Sequence, residues 1–86
     1  MTIEKHLISY IADTWMDGGQ DGLDENTPLI ELNIIDSAGM FELVHHLQDE
    51  YRITVPLREV SSHNFQNIKT IAALVVRLQG EGKGQL

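Results

Sequence analysis

The sequence predicts an all-α domain: a small four-helix bundle of three longer helices and one short one, with a long loop between the first and second helices. Three observations predict it. Apolar residues recur at helical spacing in three separate segments, no segment alternates with a period of two, and Gly18-Gly19, Pro28 and Pro56 fall between those segments. At 86 residues a single domain is expected. Residues 1–79 are read as that domain, and 80–86, "GEGKGQL", as a flexible C-terminal tail.

Thr2 to Met16 forms the first helix. Ile3, Leu7, Ile11 and Trp15 share one stripe at steps of four, with Ile8 beside them. Thr2 serves as N-cap, and Gly18-Gly19 stops the helix. Residues 17–36 then form a long connection, opening on the turn-rich, acidic "DGGQDGLDEN". In "TPLIEL", Thr27 is placed to cap and Pro28 to occupy the first position of a short helical turn. Leu29, Ile30 and Leu32 would pin this loop to the core. Loops this long in compact domains are often functional.

The second helix starts at Asp36-Ser37 and runs to about Tyr51. Its inward stripe is Met40, Leu43, Val44, Leu47 and Tyr51; its other face carries Phe41, His45, Gln48 and Asp49. Pro56 blocks continuation of "RITVP" and holds Val55 extended. "LREVSSHNF" has room for one helical turn. Asn67 caps a last helix, Ile68 to Gln79, with Ile68, Ile71, Ala72, Val75 and Leu78 inward.

Composition removes several classes of function. There is no cysteine, so disulfides, thiolate metal sites and a cysteine nucleophile are excluded. The net charge is −7, and no lysine or arginine stands between Lys5 and Arg52. That stretch holds Asp13, Asp17, Asp21, Asp24, Glu25, Glu31, Asp36, Glu42, Asp49 and Glu50. Such a field repels nucleic acid and anionic lipid, and speeds encounter with basic protein surfaces. No apolar run is long enough to span a bilayer, and the N-terminus lacks the basic start and cleavage site of a secretory signal. A monomeric cytoplasmic protein is expected.

Four places could carry chemistry. "DGGQDG" has Asp17, Asp21 and Gly22 at calcium-loop spacing, but Gly19 and Pro28 stand where oxygen ligands are needed, so an acidic turn is the better reading. His45 and His46 are adjacent and point about 100° apart on a helix, so they do not chelate one ion together. His6 and His63 are distant in sequence, and no metal site is expected. Ser37 lies outside the strand–turn–helix elbow of a serine hydrolase, and no catalytic residue is assigned. The fourth place is "NIIDSAGMF", residues 33–41. Asp36 or Ser37 caps the helix there, yet a long loop also delivers the serine to the positive end of a helix. A phosphate ester at that point is held by the dipole and the exposed amides.

Residues 3–78 resemble the acyl carrier protein family, which includes peptidyl and aminoacyl carriers. The family pattern is a long acidic loop, then Leu-Gly-hydrophobic-Asp-Ser-Leu, then an acid-rich amphipathic helix; here the chain reads "ELNIIDSAGMFELVHHLQDEY". Asp36-Ser37 matches the core of the motif, Glu42, Leu43, Val44, Leu47 and Tyr51 follow at family-like positions, and "ITVP" and "NFQNIKTIAALV" look like the family's last third. The resemblance implies a non-catalytic carrier. A phosphopantetheinyl transferase attaches 4′-phosphopantetheine from coenzyme A to the serine, here Ser37, and the arm's thiol carries acyl or aminoacyl groups as thioesters. Partners would include an acyl- or aminoacyl-loading enzyme and ketosynthase, acyltransferase or condensation-type enzymes. The working sulfur is imported, which suits a chain without cysteine.

Two departures from the pattern matter. Ala38 follows the serine where leucine or methionine is usual, and Asn33 replaces the motif glycine, although asparagine tolerates a left-handed backbone. The spelling looks more like discrete carriers of polyketide or nonribosomal peptide pathways than like a fatty-acid synthase carrier, which is the alternative. An unmodified acidic helical adaptor binding a basic surface is the alternative from another class. The expected partner-facing residues are Asp36, Ala38, Phe41, Glu42, His45, Gln48 and Asp49. Phe41, one turn beyond Ser37, is expected exposed as a substitute for the hydrophobe missing at Ala38; the competing expectation packs it inward against Leu29 or Ile30.

Overall fold

The computed structural model describes residues 3–16 and 23–84, with side chains to residue 80. Three α-helices form the domain: α1 (Ile3–Trp15), α2 (Ser37–Tyr51) and α3 (Ile68–Gly84), with a 3-10 turn at Leu57–Glu59 between the last two. Among the described residues there is no strand. The expected fourth, short helix is not formed among the described residues; a single 3-10 turn, which Pro56 opens and the Val60 N–H to Leu57 carbonyl bond (3.0 Å) closes, stands between the last two helices.

Each helix turns its apolar stripe to the core, with Ile3, Ile8, Trp15, Met40 and Tyr51 of the expected stripes only partly buried at its edges. Leu7 and Ile11 of α1, Leu43, Val44 and Leu47 of α2, and Ile68, Ile71, Ala72, Leu74, Val75 and Leu78 of α3 are buried together, and Phe65 seals the group from the segment before α3. α3 packs against both other helices. Its start is a reciprocal cap: the Thr70 N–H donates to Asn67 Oδ1 at 2.8 Å, and the Asn67 N–H donates to Thr70 Oγ1 at 3.2 Å. Its end lies at Gly84, beyond the expected Gln79. Glycine lowers helix propensity but keeps its N–H, so the hydrogen-bond ladder need not stop at Gly80. The expected cap Thr2 and stop Gly18-Gly19 lie outside the described residues, as does the acidic turn at 17–22.

The first loop is tied down at several points. The Leu29 N–H donates to the Gln66 carbonyl (2.9 Å) and the Lys69 N–H to the Glu25 carbonyl (3.0 Å), and Leu23, Leu29 and Ile35 are buried. Thr27, expected to cap a helical turn, is buried and bonded back to Asp24, whose N–H donates to Thr27 Oγ1 at 2.8 Å. The expected turn closes after one revolution. Leu32 N–H meets the Pro28 carbonyl, then Asn33 N–H meets Ile30 and Ile34 N–H meets Leu29, at 3.1, 3.0 and 2.9 Å. This pair of closing bonds is a Schellman stop with Asn33 left-handed at φ 58°. One revolution turns one leucine inward. Leu29 is fully buried, Ile30 is half-buried, and Leu32, expected to pin the loop, is 59% exposed.

Candidate functional site

The Schellman stop and the buried Ile35 hand the chain to α2 in a fixed position. Asp36 then has extended backbone (φ −101°, ψ −171°), and its Oδ1 accepts the Gly39 N–H at 2.7 Å. Its carbonyl accepts the Met40 N–H at 2.8 Å. Asp36 is therefore the N-cap, and Ser37 is the first residue inside the helix. Ser37 and Ala38 are exposed. Their amides belong to the first turn, which has no intrahelical acceptor, and they lie at the positive end of the helix. Gly39 permits a close approach behind them. A Cβ there would stand 3.0 Å from Ile35 Cγ2, 3.2 Å from Asp36 Oδ1 and 3.4 Å from Trp15 Cζ2. Ser37 is thus exposed two residues from the buried, close-packed Gly39.

Among the described residues no histidine hydrogen-bonds Ser37. An exposed hydroxyl with no base is not a hydrolytic nucleophile by itself. It is open to modification by an enzyme that brings the base, and a phosphodiester on it would meet the free first-turn amides.

Beyond the serine, Phe41, Glu42, His45 and Asp49 are all exposed, Phe41 by 54%. Ser37, Phe41, His45 and Asp49 stand four apart and so line one stripe. Phe41 does not pack under the loop. Gln48 departs from the expected exposed face: it is half-buried, and its Oε1 accepts the Val55 N–H at 3.0 Å. The cause is the left-handed Arg52 (φ 53°), which reverses the chain after α2 and brings Val55 back against it.

A second cluster escaped the sequence reading. His6 of α1 and His46 of α2 meet with their Nε2 atoms 3.3 Å apart. The Tyr10 ring stacks on His46 at 3.6 Å, and Tyr51 meets His6 edge-on. Burial lowers the His46 pKa below the usual histidine value, and the neighbouring His6 adds to the shift. Burial, then Glu50, raises that of Tyr51. The two histidines are far apart in sequence, but each directly precedes a core leucine, Leu7 and Leu47, which was the available signal.

Comparison with known proteins bears on the serine. A family model described as "Phosphopantetheine attachment site" matches residues 7–78. The chain is 44% identical over 77 residues to a "Probable acyl carrier protein PigG" from Serratia sp., covering 90% of this chain and 88% of that protein. It is 27% identical over 78 residues to a "D-alanyl carrier protein" of Streptococcus suis, covering 91% and 96% respectively. Among solved structures, a chain in "Crystal structure of FAD-dependent dehydrogenase" superposes with a TM-score of 0.73 at 39% identity, covering 80% of this chain and 97% of that one.

Proposed function

Because the chain belongs to the phosphopantetheine attachment-site family, and is a discrete, non-catalytic carrier bearing 4′-phosphopantetheine, we propose that Ser37 is the attachment residue. The observation that carries this is the exposed Ser37 hydroxyl, first in α2 and bracketed by the Asp36–Gly39 cap. The prosthetic arm supplies the thiol on which cargo rides as a thioester. Ser37 supplies the oxygen, and the first-turn amides face the phosphodiester. The family match over residues 7–78 supports residues 1–79 as the carrier unit, with 80–86 appended to it.

The cargo is an acyl or aminoacyl group of a polyketide or nonribosomal peptide-type pathway. The identity to the Serratia acyl carrier protein exceeds that to the D-alanyl carrier, and this supports an acyl cargo over an aminoacyl one. Loading and condensation-type enzymes dock on the face made by Asp36, Ala38, Phe41, Glu42, His45 and Asp49. The structural match supports one more kind of partner. The matched chain is covered almost completely by a carrier-sized one, in a structure titled for an FAD-dependent dehydrogenase. An FAD-dependent dehydrogenase is therefore proposed as a further partner. Attachment from coenzyme A supports a cytoplasmic place of work, and among the described residues no helix is long and apolar enough to cross a membrane.

The test is intact mass after incubation with coenzyme A and a broad-specificity transferase. One phosphopantetheine should add, mapping to the peptide holding Ser37. Undiminished labelling of Ser37→Ala would refute the assignment.

A further inference from the structure

The histidine pair between α1 and α2 is remote from the arm. His46 lies nine residues beyond Ser37, which is about 14 Å along the helix axis. His46 and Glu50 are four apart and share one side of α2. One ligand atom each from His6, His46 and Glu50 lies within 4.8 Å of the other two. The His6 and His46 Nε2 atoms are 3.3 Å apart. Two nitrogens bound at about 2.0–2.1 Å to one tetrahedral ion also stand about 3.3 Å apart. The pair is therefore already at ligand spacing. The Tyr10 ring lies flat on His46, with planes 9° apart, and the Tyr51 ring meets His6 at 85°, so packing holds the two imidazoles close. Their planes are 10° apart and the Nε2 atoms face each other, so each ring tilts to bring its lone pair onto the ion. Glu50 is exposed, and its side chain can swing to the shared point.

We propose that His6, His46 and Glu50 form a binding site for a zinc-class divalent cation that bridges α1 and α2, with a fourth position open to solvent. Two imidazoles and a carboxylate suit Zn²⁺ and its borderline neighbours, whereas magnesium and calcium take oxygen ligands. In the metal-free pair one Nε2–H donates to the other Nε2. On binding, that proton moves to Nδ1 of its own ring, and both Nε2 lone pairs turn to the ion, so the neutral rings release no proton. His45, about 100° around the helix from His46, takes no part. The ion acts as a staple between the two helices.

The experiment uses the full chain after chelator treatment. ZnCl₂ is titrated by calorimetry, with Co²⁺ absorption as a geometric probe and melting temperature as a second readout. One ion per chain, a tetrahedral cobalt spectrum and a melting temperature that rises with zinc are expected. His6→Gln and His46→Gln should each weaken binding by about tenfold or more, while His45→Gln leaves it unchanged. Circular dichroism identifies any variant that fails to fold; in that event the imidazole resonances of the natural chain decide, since zinc must move those of His6 and His46 before those of His45 and His63. Absence of saturable binding at millimolar zinc, or equal loss in His45→Gln, would overturn the proposal. Ser37→Ala should bind the ion normally, so this site stands or falls separately from the arm.

Discussion

Asp36 and Gly39 are bonded across the serine: the Gly39 N–H donates to Asp36 Oδ1 at 2.7 Å, with Ser37 between them. One carboxylate therefore both starts the helix and sits beside the hydroxyl. Asp36→Ala should cost about 1 kcal/mol of stability, within the 0.5–2 kcal/mol range for a lost cap. Asp36→Asn keeps a capping oxygen and should retain most of that. Its phosphopantetheine transfer should still slow at low salt, where the exposed charge steers basic partner surfaces, and the gap should close at high salt. Equal transfer rates for Asn and Asp at low salt would assign Asp36 to the helix cap alone.

Asn33 holds the left-handed position that ends the loop turn. Asn33→Ala should destabilise the fold by roughly 1–2 kcal/mol, the cost of that backbone conformation for an ordinary L-residue. Asn33→Gly should be as stable as the natural chain or slightly more so. Urea unfolding of the three proteins decides it.

Phe41 is a surface residue, so Phe41→Ala should change stability by less than about 1 kcal/mol. A core phenylalanine would cost about 3–5 kcal/mol. Turnover of the loaded carrier by its partner enzymes should fall, since an exposed aromatic beside the arm is the natural interface anchor. Unchanged partner kinetics in the folded variant would remove Phe41 from the docking face.

Glu59 ties the 3-10 turn to α3 through two hydrogen bonds from Arg77, Nη2 to Oε1 at 2.9 Å and Nη1 to Oε2 at 3.1 Å. Arg77, helped by Asn64 and Arg58, holds the Glu59 pKa below its usual value of 4.5. The unfolded chain therefore takes up this proton first as pH falls. The stabilisation is present above that value and is lost as pH drops through the folded one. Melting temperature followed from about pH 6 to about pH 3 should decline less steeply in Glu59→Gln than in the natural chain. Parallel declines would show that the pair contributes nothing measurable.

Much of the site was legible because its signals are local. A cap at Asp36 or Ser37, an Asn33 that tolerates a left-handed backbone, the Asn67 cap and the outward Phe41 each follow from residues within one helical turn of one another; the structure gives the α2 cap to Asp36. The errors were of rotation and reach. Leu32 points outward because the loop turn closes after one revolution. Gln48 turns inward because the chain folds back at Arg52 and offers it the Val55 N–H. The final helix outruns Gln79 because glycine weakens a helix without removing a donor.

Local sequence is enough for the three helices, the serine's place at the start of the second, and the acidic stretch without basic residues. Each depends on spacing, capping or charge along a short piece of chain. Tertiary structure alone decided that His6 and His46 meet, that Tyr10 stacks on His46, and that Gly39 packs close to Trp15. Those contacts join residues on different helices, and they depend on how each helix is rotated about its axis. That rotation is fixed by the shared burial of all three apolar stripes at once, which no local window of sequence contains.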